Sequence, residues 1–337
     1  MIHFVMIMKL NFNKFLSDLK EFPAIKAKKN TEPILKELEI NGFKSPHVIL
    51  FKGEDCASVE FDTKSDYEVV FHADSITEKF IEVNPYMAGY SLVMANVNDI
   101  YATAGTPLAM VLILAYENNQ KKIGDELVKG IIDGSKKFRV PIVGGHTHPN
   151  DTRNIASAGI IGRVRREHRI SSSGARAGDI ILSAIDTKGH VGQKYTFGWD
   201  CTSMKTSEEV LRQRQAICEI GKTGFATACK DISNAGILGT LGMLFEASKV
   251  GAIIDLNQIE KNKPEQVPLD HWTKIFISTG YILTIKPNHI SMAIELLESH
   301  DLSTSNIGKI DDTKKYKITY DSETAVFFDF NKESILG

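Results

Sequence analysis

Cysteine is scarce in this sequence: four residues, at positions 56, 201, 218 and 229, none of them in a C-x-x-C pair. That spacing excludes a regular disulfide framework and a cysteine-built structural zinc site, and it is the usage expected in a reducing compartment. A surplus of charge of one sign is missing too. With 40 basic and 42 acidic residues the formal net charge is -2, so no global field draws the chain to nucleic acid or to an anionic lipid surface. No apolar run is long enough to span a bilayer. The opening MIHFVMIM lacks a basic leader and is not followed by a small-residue cleavage site, so it reads as a strand, with Met6 or Met8 as an alternative start. The glycine pair at 144–145 has no Walker lysine and no G-x-G-x-x-G around it, so a P-loop or Rossmann reading fails there. There is no solenoid period and no low-complexity tract.

What is present is an ordinary globular composition, 42% hydrophobic and 24% charged over 337 residues, a length that favours two domains. Small molecules are the expected partners and the cytoplasm the expected location. Between residues 12 and 40, Phe15, Leu16, Leu19, Ile34, Leu35 and Leu38 recur at helical spacing, interrupted by Pro23 and Pro33, which predicts two short helices. HVILF at 47–51, ASVEF at 57–61 and YEVVFHA at 67–73 predict strands. Asn84-Pro85 opens a helix of small residues to about Ala104, stopped by Gly105. AMVLILAY at 109–116 predicts a strand buried on both faces, followed by a helix over 121–138, a strand and turn at VPIVGG, and a strand at NIASAGIIGRV.

The charged and Ser/Gly-rich stretch at 165–179 sets a domain boundary near 168, dividing the chain into 1–168 and 169–337. The second half predicts a strand at DIILSAI, a long polar loop, a helix over 206–229, a DISNAG turn, a helix from 237 and a strand over 274–285. The fold class is α+β in both domains.

Four aspartates stand beside small residues where strands end or helices turn: Asp55 in GEDCA, Asp74 in HADSI, Asp99 in ANVNDIYATAG and Asp231 in KDISNAG. Magnesium takes carboxylates, water and phosphate oxygens, and ions bridging a triphosphate need about this much negative charge in one place. Each aspartate taken alone reads more readily as a residue that closes a turn or caps a helix, and only the four together shift the balance toward a metal. Gly144, Gly145, His146 and Thr147 follow the strand VPIV, where a glycine pair can offer backbone N–H groups to an anion.

As an ordered set these motifs are familiar. GEDCA resembles G-D-D-A-A, HADSI resembles T-T-D-S, NVNDIYATAGTP resembles N-x-S-D-I-x-A-M-G-x-x-P and GGHT resembles G-G-[DEH]-[ST]. SSSGARAGD resembles S-G-x-x-x-G-D, and KDISNAGILGTL resembles D-[IV]-[ST]-x-x-G. The order, from residue 53 to about 242, is that of the aminoimidazole-ribonucleotide-synthetase-like (PurM-like) superfamily, with STGYILTI and NIGKI fitting the end of its second domain. Aminoimidazole ribonucleotide synthetase, thiamine-monophosphate kinase, selenophosphate synthetase and the hydrogenase-maturation carbamoyl dehydratase belong to it, and all use ATP.

The resemblance implies a two-domain PurM-like fold: an N-terminal ATP-binding domain whose sheet forms a barrel with that of a second copy, and a C-terminal α/β sandwich. ATP would lie between the domains and near the partner subunit. It also implies magnesium-binding positions at Asp55, Asp74, Asp99 and Asp231, with Asn96 and residues 144–147 near the nucleotide.

Departures narrow the branch. His146 stands where an acid is usual, no cysteine precedes position 56, the tail ESILG has none, and Asp74 is followed by SITEKF. The nearest resemblance is to the AIR synthase-related branch.

The loop DTKGHVGQKYTFGWDCTSMK, 186–205, is the candidate substrate segment. Lys188, His190 and Lys194 could receive an anionic group and Trp199 could stack on a ring, unless the loop is merely solvated with Trp199 as its anchor. Phosphoryl transfer from ATP, or ATP-driven activation, of a small metabolite is the activity expected, with Asp55, Asp74 and Asp99 at its centre. Two other readings compete: a nucleotide-binding module without catalysis, and a metal-dependent hydrolase built on His146, His148 and Asp151. Arg163, Arg165, Arg166, His168 and Arg169 read as a solvated face or phosphate clamp rather than a nucleic-acid contact.

Overall fold

The computed structural model describes residues 10–28, 40–41, 47–50, 54–60, 64–117 and 121–336. The strand expected at MIHFVMIM lies outside these residues, as does most of the helix expected after Pro33. Two helices, α1 (Phe12–Lys20) and α2 (Pro23–Lys28), come first. Asn11 caps α1 by accepting from the Lys14 amide at 3.0 Å, and Pro23, which has no N–H to lose, begins α2.

A six-stranded sheet follows, built from β1 (Val48–Leu50), β2 (Ala57–Val59), β3 (Tyr67–Ile76), β4 (Thr106–Glu117), β5 (Ile142–Asp151) and β6 (Ile155–Arg165) in the order β1-β2-β3-β6-β4-β5. Its helices are α3 (Glu78–Val83), α4 (Pro85–Ala102) and α5 (Lys121–Phe138). The expected start and stop of α4 hold: Asn84 accepts from the Met87 amide at 3.4 Å, Pro85 takes the first turn, and Gly105 lies just beyond the end.

Strand period places Val70, Met110, Leu114, Ala158 and Ile160 against the helices, all 7% exposed or less. The residues between them, Phe71, Val111, Ile113 and Ile161, are 40–52% exposed. The expectation that AMVLILAY is buried on both faces is therefore corrected for the single chain. Both faces are apolar, but helices cover only one.

Helices α4 and α5 cross closely because glycines remove side chains where they meet. A Cβ on Gly130 would lie 1.9 Å from the Tyr86 carbonyl oxygen, and one on Gly89 would lie 2.1 Å from that of Leu127. Since backbone cannot give way as a flexible side chain can, Gly130→Ala is expected to cost about 1–3 kcal/mol. The midpoint of urea unfolding measures it, and an unchanged midpoint would show that the helices separate freely.

The C-terminal unit is a seven-stranded sheet of β7 (Ile180–Ile185), β10 (Ala226–Asp231), β11 (Gly251–Asp255), β13 (Gly280–Ile285), β14 (Ser303–Asp311), β15 (Lys315–Tyr320) and β16 (Glu323–Asp329), ordered β10-β13-β7-β14-β11-β15-β16. Both of its faces are covered. Leu182, Ala184, Tyr281 and Leu283 face one core together with α6 (Ser207–Thr223) and the helices of the N-terminal unit. Ile181, Ile185 and Ile282 face a second core together with α7 (Gly236–Ser248). Phe12, Phe15, Leu16, Leu19 and Ile25 belong to that second core, so α1 and α2 pack with the C-terminal half although they precede the N-terminal sheet.

Several local expectations change. The GGHT turn is part of strand β5, which continues to Asp151. The helix expected over 206–229 ends at Thr223 because Gly224, at φ 65°, caps it in the left-handed region, and β10 follows at once. The strand expected over 274–285 divides into β12 (Phe276–Ile277) and β13. The polar loop contains β8 (His190–Val191) and β9 (Gly198–Asp200), which form a three-stranded sheet with β12. Among the described residues no helix is long and apolar enough to cross a membrane.

Candidate metal and nucleotide site

Three of the four aspartates converge. Asp55 precedes β2, Asp99 lies within α4 and Asp231 ends β10; they are 3%, 8% and 4% exposed, and one carboxylate oxygen from each lies within 4.8 Å of the others. Two unit charges 4 Å apart repel by roughly 4 kcal/mol at an effective dielectric constant of about 20. Such a cluster requires positive charge. Lys230, next to Asp231 on β10, pairs through Nζ with Asp55 Oδ1. His72 on β3 spans two members: its Nδ1 donates to the Asp55 carbonyl at 2.6 Å, which turns Nε2 to within 3.3 Å of Asp99 Oδ2. An all-carboxylate donor set is what a hard divalent cation takes, so the residues fit magnesium.

The segment that carries Asp55 is tied to the domain junction. Glu54 accepts from Ser171 Oγ and from the Ser172 amide, both at 2.7 Å, and the Asp55 amide donates to Ser172 Oγ at 3.0 Å. The SSSG motif thus anchors one metal-ligand candidate from the other half of the chain. Cys56 is buried beside the cluster; burial first, then the nearby Asp99, Asp231 and Glu54 carboxylates, push its thiol well above the ordinary value. Burial likewise pushes Cys201 and Cys218 up to about 12, so these cysteines are packing groups rather than nucleophiles.

Asp74 does not join the three. It lies within β3, exposed, with Oδ1 accepting from the Ser75 amide at 2.7 Å, and it borders a cleft of about 590 Å³ that Asp231, Ser233, Asn234 and Asn98 also line. A second cavity of about 750 Å³ adjoins the first, sharing Phe80, Ser91, Tyr195 and Phe276 with it and reaching His190 and Asp200. The Phe80 and Tyr195 rings stack at 4.1 Å between the two.

The remaining candidates are scattered. Asn96 is fully buried, donates to the Leu92 carbonyl at 2.9 Å and lines neither cavity. Gly144, Gly145, His146 and Thr147 lie on the edge strand β5, exposed and outside both cavities. His146 and His148 stand edge to face with ring centroids 4.3 Å apart, but the described residues offer no third ligand beside them, and the side chain of Asp151 lies outside the described residues. Lys188 and Lys194 are exposed and border neither cavity. His190 does border the second cavity, with Nε2 3.9 Å from Asp200 Oδ2. Trp199 cannot stack on a ligand. It is fully buried, donates from Nε1 to the Asp186 carbonyl at 2.9 Å and meets Trp272 edge-on at 5.3 Å.

Sequence reasoning missed His72, Lys230, Asn98 and Arg214. Arg214, on α6, is fully buried. Its Nε and Nη2 donate to Asn98 Oδ1 at 3.1 and 2.8 Å, Nη2 also to the Ser278 carbonyl at 2.7 Å, and Nη1 to Thr279 Oγ1 and the Val210 carbonyl, each at 3.1 Å. Phe138 lies under the guanidinium at 4.8 Å. This one side chain joins α4, α6 and the β12–β13 turn behind the cleft. Its signal was its place on the apolar stripe Val210, Arg214, Ile217.

Comparison with known proteins agrees with this architecture. The N-terminal domain of AIR synthase related proteins matches residues 53–164, and the C-terminal domain of the same proteins matches residues 189–321. An uncharacterized protein of Methanocaldococcus jannaschii is 34% identical over 97% of this chain and 100% of its own length. Among solved structures, T. maritima PurL complexed with FGAR has a TM-score of 0.73 at 18% identity, covering 96% of this chain. This chain spans 56% of that PurL chain. AaThiL complexed with AMPPCP and TMP has a TM-score of 0.61 at 18% identity, covering 88% of this chain and 95% of its own. Matched in both halves, and from end to end by an archaeal relative, the chain belongs to the AIR synthase related family and has its two-domain PurM-like fold.

Proposed function

We propose that this protein is an ATP- and magnesium-dependent enzyme that transfers phosphate to a small metabolite or activates it with ATP. The observation that carries the reading is the convergence of Asp55, Asp99 and Asp231, buried and drawn from separate elements, beside the cleft that Asp231 lines. Relatives support it: T. maritima PurL has been solved with ADP, AMPPCP and ATP, and AaThiL with AMPPCP and TMP. Phosphoryl transfer asks little covalent chemistry of a protein; it needs charge neutralised and groups held in line. The three aspartates would hold the ion, which would supply positive charge against the phosphates, and Asp74 and Asn98 line the cleft that would take the nucleotide. The adjoining cavity receives the acceptor, with His190 at its rim and Phe80 and Tyr195 as its wall toward the nucleotide. Four buried, unpaired cysteines suit work in the cytoplasm.

Calorimetric titration of ATP with and without magnesium tests this. Binding is expected only when magnesium is present. Absence of binding under both conditions would overturn the reading, and binding without turnover across an acceptor panel would favour a nucleotide-binding module.

The enzyme works as a homodimer in this reading. Phe71, Val111, Ile113 and Ile161 form an apolar patch on the open face of the N-terminal sheet, and such patches mark contact surfaces. Residues 144–147 lie at the edge of the same sheet, His146 in register with Ile113, where a second copy would bring them toward its own cleft. Sedimentation should give a dimer for the wild type and a monomer for Ile113→Glu. A monomeric wild type would remove the dimer.

A further inference from the structure

We propose that the Lys230 ammonium is the resident cation of the aspartate cluster, which a divalent ion displaces and which then turns to a phosphate of the nucleotide. This rests on the metal–nucleotide reading above and adds to it an exchange of cations. Three carboxylates within 4.8 Å of one another, each at least nine-tenths buried, need a counter-charge whenever no metal ion is bound. Lys230 supplies it by pairing with Asp55 Oδ1, and its side chain is only 12% exposed. It stands directly before Asp231, where β10 ends and the chain passes into the Ile232–Asn234 wall of the cleft. The ammonium is therefore within a side chain's reach of both the cluster and the cavity.

The exchange follows from the chemistry of the two cations. Magnesium or manganese demands oxygen ligands in a near-octahedral shell, and an ammonium already holding Asp55 competes for one of them. Lysine carries a compact charge on a flexible four-carbon stem, so it can leave the carboxylate without disturbing the strand. Once displaced, a cation this buried needs a new anion, and a phosphate oxygen in the adjoining cleft provides one. Metal and nucleotide thereby assist one another: the metal frees the lysine, and the nucleotide receives it. By linkage the help is reciprocal. A divalent ion offered alone must displace the lysine with nothing to take it up, so it binds weakly.

The test titrates manganese alone, and ADP with and without manganese, into the full chain of wild type, Lys230→Met and Lys230→Arg. Lys230→Met is expected to bind manganese about tenfold tighter than wild type, because its competitor is gone. The gain in ADP affinity that manganese confers is expected to shrink by a similar factor. Lys230→Arg keeps the charge and should bind manganese no tighter than wild type, which preserves the test if the methionine variant fails to fold. A packing role would weaken both ligands together. Equal or weaker manganese binding by Lys230→Met, or a tenfold gain in Lys230→Arg as well, would overturn the exchange while leaving the metal site standing. If none of the three proteins binds manganese, the metal–nucleotide reading itself fails, and the exchange with it.

Discussion

Asp99→Asn is expected to lower magnesium-dependent nucleotide affinity by about a hundredfold or more while making the metal-free protein more stable. The two effects have one cause. Asp99 contributes one of three carboxylates confined within 4.8 Å, so its charge is a ligand when the ion is bound and a source of repulsion when it is not. Asparagine keeps the shape and removes the charge. The carboxylate repulsion that Lys230 and His72 leave uncompensated is relieved, and about 1–3 kcal/mol should appear as a melting temperature raised by a few degrees in the absence of magnesium. Sites built for function commonly give up stability in this way. Calorimetry and thermal melting with and without magnesium check both halves. Undiminished magnesium-dependent ATP binding by the variant would remove Asp99 from the metal set.

Arg214→Met should destabilise the protein by about 1–3 kcal/mol, the cost of buried acceptors left without their donor. The guanidinium is fully buried, and its donors go to neutral groups on Asn98, Ser278, Thr279 and Val210. Methionine fills much of the volume but donates nothing, so Asn98 Oδ1 loses both bonds from the guanidinium, at a cost of about 1–3 kcal/mol for a buried group left unsatisfied. Nucleotide affinity should fall too, because Asn98 lines the cleft and loses the group that fixes its amide. Arg212, two residues earlier, supplies the contrast. It pairs with Asp301 where both side chains are about half exposed, and solvent screening reduces such a pair to about 0–1 kcal/mol. Urea unfolding of Arg214→Met and Arg212→Met side by side measures the difference, and equal small losses would show that the buried network carries no stability.

The same two arginines show where sequence reading stops. Arg212 and Arg214 sit in the polar run LRQRQ, and only the stripe through Val210 and Ile217 separates the buried one from the exposed one. Helix α4 was legible because Asn84-Pro85 and Gly105 act locally, through a cap, a fixed φ and a missing side chain. Convergence of the aspartates was not legible from spacing, since a strand end, a helix interior and a loop meet only through tertiary packing; the family resemblance supplied that grouping, and Asp74 stands apart from it. Hydrophobicity in AMVLILAY identified a strand but could not tell a core from an open apolar face. Trp199 reads as available in a polar loop because Trp272 lies far from it along the chain and its other partner, the Asp186 carbonyl, is backbone and leaves no side-chain signal. Gly145, at φ 145° with Leu112 backbone 2.1 Å from any added Cβ, occupies a strand position that glycine alone fits, although a glycine pair reads from sequence as a turn.

Helices α1 and α2 impose an order on the birth of the molecule. Residues 12–25 emerge from the ribosome long before the strands they pack on; Phe12 meets Tyr320 with ring centroids 6.1 Å apart, and Lys20 pairs with Glu333 at 2.8 Å. Their apolar stripe must wait through the synthesis of the whole N-terminal sheet and most of the C-terminal one. During that interval the stripe is apolar surface without its partner, and its docking can follow only once the chain as far as Tyr320 and Glu333 has been made.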